Sequence, residues 1–159
     1  MKTLVVFYSR TGHTRSVAQR LASRLNADLE ELKERADRTG VFGFLKGGRD
    51  AIQKRPAVLY PVRKNPADYD MVIIGSPIWA FTICPAVRTY LSNHASSIKR
   101  MASFCTHGGG GPSKSYTEAE KLLGKPLAAT LALRDKAVKR GECDAAITAF
   151  VGTITATPA

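Results

Sequence analysis

The chain has 159 residues, of which 44% are hydrophobic and 23% are charged, as is typical of one globular domain with a substantial core. Its formal net charge of +11 favours polyanions, acidic proteins or anionic membrane surfaces as partners and says nothing about the fold. The longest apolar runs, such as Leu4–Tyr8, are far shorter than the roughly 20 residues that span a bilayer, so we expect no membrane span.

The N-terminal sequence predicts a cytoplasmic protein, and the cysteines predict reduced thiols. A strand pattern begins directly after the first residues and no signal peptide precedes it. The three cysteines, Cys84, Cys105 and Cys143, are widely spaced and form no CxxC, which favours reduced, buried thiols over disulfides or a zinc site. The histidines do not cluster with cysteines or carboxylates at ligand spacing, so we expect no metal site.

The first predicted elements are a strand, a helix and a second strand. Residues 3–8 are β-branched, aromatic and almost all apolar, which predicts a strand buried on both faces. A helix ending at Asn26 follows, because apolar residues recur at helical spacing at Val17, Ala18, Leu21, Ala22 and Leu25. Residues 27–33 are ambiguous by pattern, and we predict a strand because a βα unit needs its next strand there.

A basic segment at 34–67 interrupts this regular order. Residues 33–64 contain nine basic and three acidic side chains. Residues 41–54 predict a short helix, which Gly43, Gly47 and Gly48 would weaken. The segment contains few aromatic residues and no nucleic-acid-binding motif, so we expect no nucleic-acid partner.

The second half of the chain continues the alternation. The predicted order is a strand at 69–75, a loop at 76–85, a helix at 86–95, a strand at 100–106, a glycine-rich loop at 107–115, a helix at 116–125, a strand at 126–133 and a closing helix from Cys143. Gly124 is the expected C-cap of the fourth helix. This alternation predicts an α/β fold in one domain over 1–159, with a parallel sheet and helices on both faces.

The turn SRTGHT stands where the first strand gives way to the first helix. Helix N-termini offer free N–H groups to anions, and Ser9, Thr11 and Thr14 add hydroxyl donors. Gly12 permits a close backbone approach, so the turn predicts a site for a phosphate monoester. It lacks the lysine of a Walker A loop and the GxGxxG of a dinucleotide site. The alternative is that Ser9 or Thr11 simply caps the helix.

Two further motifs follow later strands. GSPIWA at 75–80 contains the only tryptophan, Trp79, which we predict to lie in a loop and to offer a flat face to a ring system, with plain packing as the alternative. CTHGGGG at 105–111 either presents backbone N–H groups to a heterocycle or is a disordered connector. In a five-stranded, doubly wound sheet of order 2-1-3-4-5, the first two motifs flank the same crevice.

With these three motifs in this order, the chain resembles the flavodoxins. Members of that family are FMN-binding electron carriers whose sheet has this strand order. The resemblance implies a phosphate loop comprising Ser9, Arg10, Thr11, Gly12, His13 and Thr14. It implies an isoalloxazine loop comprising Pro77, Ile78, Trp79 and Ala80, with Trp79 covering one ring face. It implies a pyrimidine-edge loop comprising Thr106, His107, Gly108 and Gly109.

The chain departs from the usual pattern of this family. Typical flavodoxins are strongly acidic and carry an acid and a stacking tyrosine in the third loop, whereas HGGGGPSKS has no acid and Tyr116 is the nearest tyrosine. Basic surroundings stabilise anionic reduced FMN, so we expect a less reducing potential than in typical flavodoxins. The basic segment is then a solvated face, a dock for acidic proteins or a lid over the flavin.

Three functions remain after these comparisons of motifs. The favoured one is an FMN electron carrier with an acidic redox partner protein. The alternative is an FMN-dependent NAD(P)H or quinone reductase, and the distant third is a basic binding protein on a fold that lacks flavin. No catalytic side chains are expected, because flavin chemistry is supplied by the cofactor.

Overall fold

The computed structural model describes residues 1–36 and 40–156. Asp37 and Arg38, which belong to the basic segment, lie outside the described residues. The strands are β1 (Thr3–Phe7), β2 (Asp28–Glu31), β3 (Met71–Trp79), β4 (Thr82–Ile83), β5 (Met101–His107) and β6 (Thr130–Arg134). The helices are α1 (His13–Leu25), α2 (Gly40–Ile52), α3 (Pro85–His94), α4 (Pro112–Leu123), α5 (Asp135–Arg140) and α6 (Asp144–Ala156), with short 3-10 helices at Pro66–Asp68 and Ala95–Ser97.

Five strands form a parallel sheet in the order β2-β1-β3-β5-β6, and β4 pairs only with β3. The predicted doubly wound sheet of order 2-1-3-4-5 is therefore confirmed once the extra strand β4 is set aside. The predicted helix stop at Asn26 and the predicted C-cap at Gly124 are confirmed as well. Asn26 and Gly124 adopt left-handed conformations directly after α1 and α4, with φ values of 47° and 76°.

Alternating side chains of the central strands divide the core into two layers. Leu4 and Val6 of β1 pack with α2, α3 and α4 on one face of the sheet. Val5 and Phe7 pack with α1, α5 and α6 on the other face. All four side chains are fully or almost fully buried, which explains the continuous apolar run of this strand. Within the described ranges, no helix is long and apolar enough to cross a membrane.

The prediction of a loop at 76–85 is wrong. Residues 76–79 extend β3, so Trp79 ends a strand instead of lying in a loop, and the chain returns antiparallel as β4. The turn of this hairpin contains Ala80 and Phe81, with φ values of 49° and 66°. Two-residue hairpin turns with positive φ usually contain Asn or Gly, so the sequence carried no recognisable turn signal.

The last predicted strand, at 126–133, begins only at Thr130. Two further differences concern the helices α4 and α5. The fourth helix begins at Pro112 instead of residue 116, so part of the predicted glycine-rich loop is helical. Proline at the first helical position suits a helix start, because its ring fixes φ and its missing N–H would be unpaired there. The helix α5 was not predicted, because its six residues are too few to show a helical period.

Candidate functional site

The first loop of the site joins β1 to α1. Gly12 is the N-cap of α1, with a φ of 97°, and no side chain among the described residues caps this helix. The Oγ of Ser9 instead accepts a hydrogen bond from the N–H of Gly12, at 3.1 Å. The alternative that Ser9 or Thr11 caps α1 is therefore wrong. The first N–H groups of α1 remain available to an anion, at the positive end of the helix dipole.

A buried pair of hydroxyl groups connects this loop to the end of β5. Thr14 Oγ1 lies 2.9 Å from Thr106 Oγ1, and both residues are buried. Thr14 is in the first turn of α1, and Thr106 is the penultimate residue of β5. The contact fixes the first loop against the third.

Trp79 lies at the candidate site and also packs against the protein interior. Its ring meets the Tyr8 ring edge-on, with 5.6 Å between the ring centroids. Helix α2 crosses so closely that a Cβ on Gly47 would lie 2.8 Å from Trp79 Cζ3. The tryptophan is 8% exposed, so much of its ring surface is covered by the protein itself.

The three loops enclose one cavity of about 220 Å³ at the carboxyl edge of the sheet. Its lining includes Arg10, Thr11, Thr14, Pro77, Ile78, Trp79, Thr106 and Gly108, together with Asp135. The structure thus brings together eight of the residues predicted from the sequence. The other six predicted residues do not line this cavity: Ser9, Gly12, His13, Ala80, His107 and Gly109.

The geometry of β5 explains why only some of the predicted third-loop residues line the cavity. Thr106 faces the cavity and the next residue, His107, turns away, because successive side chains of a strand alternate. The Nδ1 atom of His107 is buried and has no hydrogen-bond partner among the described residues.

The glycines of the third loop also have a packing role that the sequence did not predict. A Cβ on Gly111 would lie 2.9 Å from the backbone of Phe81.

Asp135 is the lining residue that sequence analysis missed. It begins α5, directly after β6, and its Oδ1 lies 3.6 Å from His13 Nδ1. Its position at the carboxyl end of a strand was the available signal, but the predicted strand ended at residue 133 and no helix was expected after it. The carboxylate places a negative charge beside a loop suited to anions.

Burial favours the protonated form of the Cys84 and Cys105 thiols. Burial raises the pKa of Cys84 and of Cys105 to about 11. Cys105 Sγ lies 3.2 Å from the hydroxyl of Tyr116, whose pKa is raised by burial as well. Tyr116 therefore contacts a core cysteine within α4. All three cysteines are free and buried, which suits packing better than thiol chemistry.

The residues present fit a phosphate monoester. No described side chain caps the first turn of α1, and Thr11 lines the cavity. Apart from its two neighbours in the chain, no described residue comes within 4 Å of a Cβ built on Gly12. The cavity is smaller than the roughly 300–1,000 Å³ of pockets that bury a drug-sized ligand. The cavity therefore suits a phosphate group and the part of the ligand attached to it. Any ring system of the ligand would lie toward the open side of the cavity. The described residues contain no group of three or more potential metal ligands.

Several solved structures share the fold of this chain. A crystal structure of a flavoprotein in complex with FMN, from Lactobacillus acidophilus NCFM, has a TM-score of 0.72 at 23% identity, over 87% of this chain and 97% of that one. Oxidised flavodoxin 1 from Bacillus cereus has a TM-score of 0.56 at 15% identity, over 99% of this chain and 100% of that one. Rubredoxin oxygen:oxidoreductase from Desulfovibrio gigas has a TM-score of 0.55 at 17% identity, over 98% of this chain and 37% of that one.

At these identities the likeness concerns the fold. No curated protein sequence matches the chain. A family model described as Flavodoxin matches residues 2–130, which include all three loops of the site. The chain therefore belongs to the flavodoxin family.

Proposed function

We propose that the protein binds FMN at this site and functions in electron transfer. The observation that supports this most strongly is the meeting of three loops in one cavity, with the uncapped N-terminus of α1 at one side and Trp79 at the other. Membership of the flavodoxin family supports FMN over other phosphate monoesters. When bound, FMN supplies the redox chemistry, and the protein supplies binding, orientation and electrostatics.

The first loop is the part of the site that would hold the phosphate. The N–H groups in the first turn of α1 and the Thr11 hydroxyl donate hydrogen bonds, and Arg10 contributes a positive charge to the lining. The Thr14–Thr106 contact keeps the first and third loops in register. The ring system would lie beside Trp79 and Gly108, where apolar surface and backbone meet.

The charge of the protein supports an acidic protein as its redox partner. A surface of net charge +11 steers an acidic protein toward the complex and repels a basic one. The same charge favours the anionic form of reduced FMN, so the bound cofactor should be less reducing than in an acidic flavodoxin. A redox titration dominated by one very negative potential would contradict this expectation.

The experiment that tests the proposal is a ligand titration of the purified full chain. FMN should bind with one-to-one stoichiometry and give the spectrum of a bound flavin. Riboflavin, which lacks only the phosphate, should bind at least about tenfold more weakly, because each charge-assisted hydrogen bond contributes about 1.5–3 kcal/mol. A colourless protein that fails to bind added FMN would overturn the proposal.

A second measurement separates the electron carrier from the reductase. The FMN-loaded protein is mixed with NADH or NADPH and a quinone, and oxidation of the nucleotide is followed. A carrier should show negligible turnover alone and should exchange electrons with an added acidic redox protein. Sustained oxidation of the nucleotide by the protein alone would favour the reductase.

A further inference from the structure

Helix α2 buries three small residues and exposes three large apolar side chains. Gly43, Gly47 and Ala51 are buried against the domain. Phe42, Leu45 and Ile52 are 89%, 61% and 68% exposed. An amphipathic helix normally buries its large apolar side chains, so this orientation leaves an apolar face without a partner in the described chain.

The β3–β4 hairpin adjoins the C-terminal end of this apolar face, at Ile52. Phe81 at the tip of the hairpin is 61% exposed. Phe81 and Ile52 line the same groove, of about 500 Å³, between α2, the hairpin and α4. We call the four side chains Phe42, Leu45, Ile52 and Phe81, with this groove, the α2 apolar surface.

Lysines flank the α2 apolar surface. Lys54, Lys114 and Lys121 line the groove, and Lys46 is exposed on α2. Within residues 1–36 and 40–156, no carboxylate forms a salt bridge with any of these four lysines. The surface therefore combines an apolar centre with uncompensated positive charge at its edge.

The acidic groups nearby are already neutralised. Glu118 lines the groove, but its Oε1 accepts a hydrogen bond from Arg88 Nε at 2.9 Å, and its Oε2 accepts one from Thr82. Asp50 of α2 is 6% exposed and lies about 4 Å from the guanidinium groups of Arg49 and Arg55. Neither carboxylate therefore compensates the positive charge that the lysines present to solvent.

We propose that the α2 apolar surface docks an acidic protein. Apolar side chains of that partner would contact Phe42, Leu45 and Ile52 and enter the groove, and its surrounding Asp and Glu residues would pair with the lysines. A second copy of this chain fits less well, because it would bring a second charge of +11 against the first. The proposal does not depend on FMN, although an acidic redox partner would satisfy both proposals.

The protein contains its own reporter for such docking. Trp79 is the only tryptophan, and it packs directly beneath Gly47 on the inner side of α2. A partner that binds to the outer face of α2 should change the fluorescence emission of Trp79. Tryptophan-free peptides can therefore be titrated against the full chain without a label.

The test uses three synthetic helical peptides. One is rich in Glu and carries leucines at helical spacing, one is equally acidic with the leucines replaced by Gln, and one has the same leucines with Lys in place of Glu. Only the acidic peptide with leucines should bind tightly, and its Kd should rise with salt. Equal binding of the basic peptide would overturn the proposal.

Variants locate the binding site. The double variant Phe42→Ser/Leu45→Ser should raise the Kd at least about tenfold, as expected for truncated hot-spot residues. Val58→Ser is the matched control, because Val58 is 64% exposed outside the α2 apolar surface. Lys46→Glu/Lys114→Glu should also weaken binding, whereas Lys139→Glu on α5 should not. Equal effects of the test and control variants would overturn the proposal.

Two further outcomes would assign the surface to another occupant and overturn the proposal. One is a dimer in sedimentation analysis that Phe42→Ser/Leu45→Ser abolishes. The other is binding to anionic phosphatidylserine vesicles that the same variant abolishes, with no binding of the acidic peptide. Each titration is done with and without FMN, so that failure of cofactor binding is distinguishable from failure of docking.

Discussion

The hydroxyl groups of Thr14 and Thr106 lie 2.9 Å apart and join the first turn of α1 to the end of β5. Both residues are 2% exposed, so neither hydroxyl has ready access to water. The contact links two of the three loops of the candidate site across 92 residues of sequence. Its integrity should therefore affect both the stability of the protein and the binding of FMN.

Replacing either threonine by valine should destabilise the protein. Thr14→Val or Thr106→Val leaves the other hydroxyl buried without its partner, which costs about 1–3 kcal/mol of unfolding free energy. The double variant should lose less than the sum of the two, because no orphaned hydroxyl remains. Urea unfolding measures these effects, and Thr155→Val, at an exposed position of α6, is the control. Strict additivity would contradict a direct bond between the two hydroxyls.

The backbone of Gly12 should be essential for binding the phosphate. Gly12 has a φ of 97° and Gly124, the C-cap of α4, has a φ of 76°. Apart from the two adjacent residues, no described residue comes within 4 Å of a Cβ built on either glycine, so alanine meets backbone strain without a clash. Each change to alanine should cost about 1–2 kcal/mol of stability. Gly12→Ala alone should also weaken FMN binding, measured by fluorescence titration. Equal FMN affinities in the two variants would contradict the assigned phosphate loop.

The sequence predicts the fold well wherever a simple period is strong. Residues 3–7 form a buried strand because an uninterrupted apolar run suits a strand covered on both faces. The β3–β4 hairpin was missed because its turn uses Ala80 and Phe81 at positive φ, against the usual preference for Gly and Asn. The loop at residues 76–85 was thus assigned from composition, while pairing between Ile78 and Ile83 makes it a hairpin.

Individual site residues could be predicted from the sequence only where a recognisable motif directly follows the end of a strand. Thr11 and Thr14 were predicted from the hydroxyl-rich turn, and the structure places both on the cavity. Asp135 depends on where β6 ends and α5 begins, and boundaries of short elements follow tertiary packing more than local pattern. The outward-facing apolar side of α2 was not predictable, because periodicity shows that a helix is amphipathic without showing which side is buried.

Two adjacent glycines of α2 should respond to alanine in opposite ways. A Cβ on Gly47 would lie 2.8 Å from Trp79 Cζ3, whereas a Cβ on Gly48 meets no described atom within 4 Å outside the neighbouring helix backbone. Gly48→Ala should stabilise the protein by about 0.5–1 kcal/mol through helix propensity. Gly47→Ala should destabilise it by about 1–3 kcal/mol through overpacking and shift the emission of Trp79. Thermal unfolding and tryptophan fluorescence measure both, and the same response from both variants would contradict the packing of α2 on Trp79.

Removing the carboxylate of Asp135 should strengthen FMN binding. Asp135 lines the same cavity as Arg10 and Thr11, so its negative charge opposes a phosphate held by the first loop. Asp135→Asn should lower the Kd for FMN about two- to fivefold at low salt, the range expected for partly exposed charges. Added salt should narrow the difference, because it screens the repulsion.

Riboflavin provides the control for Asp135→Asn, because it lacks the charged phosphate. Its Kd should be the same for the variant and the parent protein. Asp144→Asn tests for a general effect of net charge, since Asp144 lies on α6 and pairs with Arg24 outside the cavity. If Asp135→Asn instead weakened FMN binding at every salt concentration, Asp135 would be acting through His13, which lies 3.6 Å from it, as a positioning residue for the phosphate loop.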